Sequence, residues 1–260
     1  MNKFYAFLKK DIRLAMSYKI NFVMIFISPL ISMLLLFMIL KSITTLNENS
    51  LEILAFSNIF YGIVLIDLSF VVISSLPRLI NEYRQQGILE EILFKNEWHI
   101  IFSTFTWVLI IFIFKSFVYF GIASLLFSLP ILQGMLFLKI MCTLMLTFIA
   151  LMGLSIISAS YSIINLKSNA IQTIIMTASS FLSGAFFSIS LLPSILMPFT
   201  QIIPITHSLY LIKNINEPLL YENYNFAALL ALGLLFNILG YSLIQKSILK
   251  AKKDGLLIYF

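Results

Sequence analysis

Between Lys167 and Lys213 the chain runs for 45 residues without a formal charge. As one straight helix that stretch would be roughly 68 Å long, about twice the hydrocarbon thickness of a bilayer. A single crossing cannot use that length, so the run must fold back on itself. Other uncharged runs long enough to cross a membrane occupy residues 20–40, 140–166 and 224–245. The segments 53–76 and 100–129 are as apolar but carry one charge each, Asp67 and Lys115. With 60% hydrophobic and 11% charged residues, no water-soluble domain of this size could bury its apolar surface. A β-barrel would instead show segments of about 10 residues with alternating polarity, and the chain has none. The sequence predicts an all-α integral membrane protein forming one transmembrane domain over residues 1–260.

The positions of the charges set the topology. Phe4, Leu8, Ile12 and Ala15 recur at helical spacing, with Lys9, Lys10 and Arg13 turned away from them. Residues 1–19 therefore read as an amphipathic helix lying at the membrane surface. This basic, then apolar, beginning resembles a signal peptide. Its apolar core, however, is about twice the usual length and no A-x-A site follows, so a retained first span is expected. Lysines and arginines near the ends of spans face the cytoplasm. Six spans put thirteen of them inside, Lys41, Lys139 and Lys213 outside, and Lys115 within the membrane. Seven spans would place the basic tail (Lys246, Lys250, Lys252 and Lys253) on the wrong side. The expected spans lie near 20–40, 53–76, 100–129, 140–166, 170–187 and 224–245, with both termini cytoplasmic in a cell membrane. Residues 188–212, broken by Pro193, Pro198 and Pro204, then form a re-entrant helix pair in the outer leaflet. Irregular backbone is tolerated there only when neighbouring protein satisfies it. Small residues at four-residue spacing, Ser155 with Ala159 and Ser158 with Ser162, mark a face for close helix contact.

The stretch 78–99 interrupts this pattern with seven charged residues. Leu89, Ile92 and Leu93 make an i, i+3, i+4 apolar stripe beside Glu90, Glu91 and Lys95. Gly87 separates it from the stripe Leu79, Ile80 and Tyr83. Two short amphipathic helices meeting at a glycine would form a cytoplasmic knuckle able to press into a partner. The alternative is a helix pair covering the chain's own cytoplasmic end.

Several chemistries are excluded. There is no G-x-x-x-x-G-K-[ST] loop for a nucleotide phosphate, no H-E-x-x-H or G-x-S-x-G, and no Cys/His cluster. His99 and His207 fall on opposite sides of the expected topology, and the lone Cys142 reads as a packing residue. Glu90-Glu91-x-x-x-Lys95 resembles the paired glutamates of membrane-embedded CAAX-type proteases. It sits in a loop, however, and lacks that family's histidines. The net charge of +6 is spread over span ends, which leaves no basic face for nucleic acid. The chain is not expected to be an enzyme, and no cofactor or metal site is expected on it.

Two further patterns complete the reading. Glu82-x-Arg84-x-x-Gly87-x-Leu89-Glu90 resembles the G-T-L-E-like cytoplasmic element of type-2 ABC transporter membrane subunits, with Ile88 in place of the common threonine. Leu182-Ser183-Gly184-Ala185-Phe186-Phe187, then Leu192-Pro193 and Pro204-Ile205-Thr206, is similar to that family's run into its outer re-entrant helices. Here Ser188 stands where a proline is usual, and Lys213 where an arginine is usual. Together with the six-span plan, the resemblance covers most of the chain. It implies a permease that works as a homo- or heterodimer with a separate ATPase subunit, which holds ATP and magnesium. It further implies coupling through Glu82, Arg84, Gly87, Leu89, Glu90, Glu91, Ile92 and Leu93, and an outer gate at Gly184, Phe186, Phe187, Pro193, Pro204 and Thr206.

Asp67 and Lys115 each cost roughly 2.5–3.5 kcal/mol to insert at the bilayer centre. Counted from the cytoplasmic side they lie roughly 15 Å and 22 Å deep, within reach of one another. They read either as an intramembrane ion pair or as part of a translocation path. The interior, polar only through Asn, Ser, Thr and aromatic residues, favours an amphipathic or hydrophobic cargo. The rival function is a secondary transporter or channel driven by an ion gradient, with no ATPase partner.

Overall fold

The structure, a computed structural model, describes residues 3–17, 52–127, 134–165, 170–187, 189–214 and 223–254, with isolated positions between 19 and 38. The expected first span, most of the loop after it and the turn at 166–169 lie outside the described residues, as does Ser188. Every regular element among the described residues is helical. In chain order these are α1 (Lys3–Ser17), α2 (Glu52–Gln85), α3 (Leu89–Phe127), α4 (Gly134–Ile164) and α5 (Ala170–Leu182). A 3-10 turn (Ile189–Leu191) follows, then α6 (Met197–Thr200), α7 (Pro204–Lys213) and α8 (Tyr224–Lys253). Four helices, α2, α3, α4 and α8, are long and apolar enough to cross a membrane. The chain is a multi-pass helical membrane protein.

Helix α4 is the centre of the bundle. Residues on all its sides are buried, and several of them are small: Ala150, Gly153, Ser155, Ser158 and Ala159. The expected small-residue face does turn inward. Ser155 meets α2, where its hydroxyl lies 3.4 Å from the Ser75 hydroxyl and accepts from the Leu76 N–H at 3.5 Å. The opposite side of α4 meets α8 more closely still. A Cβ on Gly153 would fall 2.5 Å from the Phe236 carbonyl carbon and 2.6 Å from the Asn237 nitrogen. Gly240 of α8 returns the contact, 3.1 Å from the Gly153 oxygen by the same construction. Asn237 closes this seam by donating its amide to the Ile149 carbonyl at 2.8 Å and to its own-helix Gly233 carbonyl at 2.8 Å. Between helices in lipid the hydrophobic effect supplies no attraction, so backbone proximity and an interhelical hydrogen bond must do so.

Two expectations change. The charged insert is not a pair of short helices. Tyr83 and Arg84 belong to the 34-residue α2, and Leu89 begins the 39-residue α3. The apolar stripes of the insert continue in register with those of the spans, so nothing ends either helix except the turn at Gly87. Helix α5 is also shorter than the expected fifth span: 13 residues, about 20 Å long, ending at Leu182. The chain leaves that helix at Ser183 and Gly184, the latter at a φ of +76°.

Gly153→Ala should lower the thermal unfolding temperature of the protein in lipid nanodiscs, by the equivalent of about 1–3 kcal/mol of overpacking. Gly121→Ala, where the added Cβ meets nothing within 4 Å, should be neutral or stabilising by up to about 1 kcal/mol. Equal losses at the two positions would remove the seam's special status.

Candidate functional site

At the turn between α2 and α3, Gly87 adopts a φ of +69°. The Ile88 N–H donates to the Tyr83 carbonyl at 3.1 Å and the Gly87 N–H to the Arg84 carbonyl at 3.0 Å. This is a Schellman closure, which needs a left-handed residue at the glycine position. The tight turn sorts the predicted coupling residues into two groups. Leu89 and Leu93 are buried in a core cluster of the chain's own residues with Leu76, Ile80, Ile156, Ile163 and Ile248. Glu82, Gly87, Glu90 and Glu91 are exposed. The Ile92 side chain lies outside the described residues.

Arg84 was expected at the partner-facing edge but points inward. It is 8% exposed, and its Nη2 donates to the carbonyls of Ser162 (2.5 Å) and Ile163 (3.2 Å). Those carbonyls belong to the last turn of α4, where no backbone donor remains, and a cation there also meets the negative end of the helix dipole. Arg84 thus ties the turn to the central helix.

Helix α1 packs against this assembly. Phe7 touches that core cluster, and the exposed Lys9 and Arg13 face away as their spacing predicts. Lys10 departs from that pattern. Its ammonium reaches across to Tyr83, donating to the hydroxyl at 2.6 Å with the ring centroid 4.1 Å away. Beside it, burial raises the Asp11 carboxyl to about 6, with Lys10 opposing the shift and Glu82 adding to it.

Within the membrane, Asp67 of α2 and Lys115 of α3 form an ion pair, Nζ to Oδ2 at 2.6 Å. The lysine is 4% exposed and the aspartate 27%. Tyr119, one turn beyond Lys115, brings its buried hydroxyl beside the same carboxylate without a hydrogen bond of good geometry. Nothing in the sequence singled out this tyrosine, because a tyrosine inside an apolar helix carries no distinctive spacing.

At the other end, α7 is largely buried and its polar side chains hold it to the bundle. The Ser208 and Thr147 hydroxyls lie 2.6 Å apart, joining α7 to α4. His207 places Nε2 2.8 Å from the Gln201 carbonyl and Nδ1 2.8 Å from the Asn225 side-chain oxygen. Pro204 occupies the first turn of α7, where its missing N–H is harmless. Of the expected gate residues, Gly184, Phe186, Phe187 and Thr206 line one cavity of about 490 Å3. Pro193 is instead exposed, near the apolar side chains Leu191, Ile195 and Met197, which are also exposed.

Neutralising one member of the Asp67–Lys115 pair strands the other. Asp67→Asn and Lys115→Met should each destabilise the protein, by up to about 3–5 kcal/mol for a buried pair and less where the carboxylate is partly solvated. The double variant should recover most of that loss, read by thermal unfolding. A double variant as unstable as the sum of the singles would mean the two charges are not coupled.

No protein-family model and no curated protein sequence matches this chain, so its functional reading rests on geometry and residue chemistry.

Proposed function

We propose that this chain is the membrane permease subunit of an ATP-driven exporter of the type-2 ABC class, working in a cell membrane as a homo- or heterodimer. On this reading it has six spans and cytoplasmic termini. A separate ATPase subunit binds ATP and magnesium and drives it through the turn between α2 and α3. The observation that carries the reading is the construction of that turn. Its acidic rim, Glu82, Glu90 and Glu91, is exposed, while Leu89, Leu93 and Arg84 anchor the same few residues in the core. A surface that receives force from a partner needs both properties. A purely covering helix pair needs only the second. Arg84 acts here as an anchor behind the contact surface, and Leu89 and Leu93 act with it.

The outer elements fit the same reading. The short helices between 189 and 213 close one end of the bundle, and the cavity lined by Gly184, Phe186, Phe187 and Thr206 lies beneath them. The exposed apolar side chains at 191–202 and along α8, among them Leu234 and Ile238, would face lipid or the second permease chain. The cargo is amphipathic or hydrophobic.

The intramembrane ion pair is the observation that favours a gradient-driven carrier instead, since such carriers place ionisable groups at this depth. The two readings separate on one experiment. Charge reversal of Glu90 and Glu91 to lysine should leave membrane insertion unchanged. It should also lower cargo-dependent ATPase activity of the reconstituted complex roughly tenfold, a typical coupling effect. Normal transport by that variant, or full transport with no ATPase present, would overturn the permease reading.

A further inference from the structure

The cavity of about 490 Å3 beside α7 falls within the roughly 300–1,000 Å3 that holds drug-sized ligands. Three elements wall it. Helix α7 presents Thr206, Tyr210 and Lys213, which share one face at i, i+4 and i+7. The chain leaving α5 supplies Gly184, Phe186 and Phe187, and α2 contributes Ile59. That chain comes close to α2 because Gly62 leaves room for it. A Cβ at Gly62 would fall 2.6 Å from the Ala185 oxygen. From Thr206 to Lys213, α7 rises about 10 Å, and most of the side chains along that length of wall are apolar.

One charge breaks the pattern. Among the described residues lining the cavity, Lys213 alone is charged, and it makes no hydrogen bond or ion pair with any described residue. The described carboxylates lie elsewhere. Asp67 is paired with Lys115, and Asp11 and Glu82 line a cleft between α1, α2 and α3. Glu90 and Glu91 stand in the first turn of α3, and Asp254 ends α8. The backbone of Gly184, Ala185 and Phe186 also makes no hydrogen bond among the described residues, so its N–H groups can serve an acceptor. We propose that this cavity binds a drug-sized anionic amphiphile, a phosphate or carboxylate head on an apolar body. The head sits at Lys213 and the body against Tyr210, Phe186 and Phe187. A cationic head would meet Lys213 with like charge. A neutral molecule would displace water from the lysine and leave it unpaired. Room for one drug-sized body favours a free amphiphile over a bilayer phospholipid. Identifying this ligand as cargo rests on the permease reading. Its binding does not, so the two can fail separately.

The test uses the intact chain in phosphatidylcholine nanodiscs with no ATPase present. The probe is dodecyl phosphate carrying a photoreactive diazirine at mid-chain, and the labelled residues are located by mass spectrometry. Labelling should saturate and fall within residues 183–187 and 206–213. At equal mole fraction in the disc, unlabelled dodecyl phosphate should compete about tenfold better than dodecyl maltoside or dodecyl trimethylammonium. Lys213→Gln should weaken dodecyl phosphate binding about tenfold, as expected for loss of one charged contact, and Lys213→Arg should retain it. The headgroup series on the native chain serves even if a variant folds poorly. The proposal is overturned if the three headgroups compete alike, if Lys213→Gln binds dodecyl phosphate as the native chain does, or if phosphatidylglycerol in the disc displaces the probe.

Discussion

The bundle depends on the contact between α4 and α8, where two backbones meet with no side chain between them. Gly153 presents its Cα to the peptide joining Phe236 and Asn237, and Gly240 presents its own to Ile156 and the Gly153 carbonyl. Burying apolar surface gains little between helices already surrounded by lipid, so attraction has to come from atoms in direct contact. Asn237 adds a hydrogen bond across the seam to the Ile149 carbonyl. With α4 held on that side, its other side is free to take α2 through Ser155 and Ser75, and its ends become fixed points for the rest of the chain.

Two levels of α4 are used in this way. At its C-terminus, Arg84 donates to two carbonyls of the last turn, and so joins the α2–α3 turn to the central helix. Near its middle, Thr147 meets Ser208 and holds α7 in place. The turn is therefore tied directly to α4, and α4 also touches α7. On the permease reading this is the mechanical connection between the partner-facing rim and the outer cavity. Packed cores transmit such shifts because they resist compression.

The Asp67–Lys115 pair works differently. It joins α2 to α3, two helices otherwise linked by the Gly87 turn, at a depth where each charge alone would be costly. Lys115 is sealed while Asp67 keeps some exposure. A second half-buried carboxylate, Asp11, lies on the cleft between α1, α2 and α3, with the charges of Lys10 and Glu82 beside it.

The membrane character, four of the spans, the breakpoints around Pro193 to Pro204 and the turn at Gly87 were legible in the sequence, because uncharged length and glycine or proline act locally. That Asp67 and Lys115 come within reach of one another could also be counted, since helical rise is constant. The register between helices could not. Gly153 looks like any glycine in an apolar run until Phe236 is placed against it, and Lys10 reads as a headgroup cation until Tyr83 comes within reach. Arg84 shows the limit most clearly: its charge and position marked it for a partner, yet the nearest unsatisfied carbonyls were those of Ser162 and Ile163, nearly eighty residues away. The sequence by itself determined which segments must leave water and where the chain must turn, because transfer from water and backbone conformation are properties of short stretches. Only the tertiary structure decided which of the polar side chains are spent inside the fold and which remain outside it, because a hydrogen bond needs its partner's coordinates.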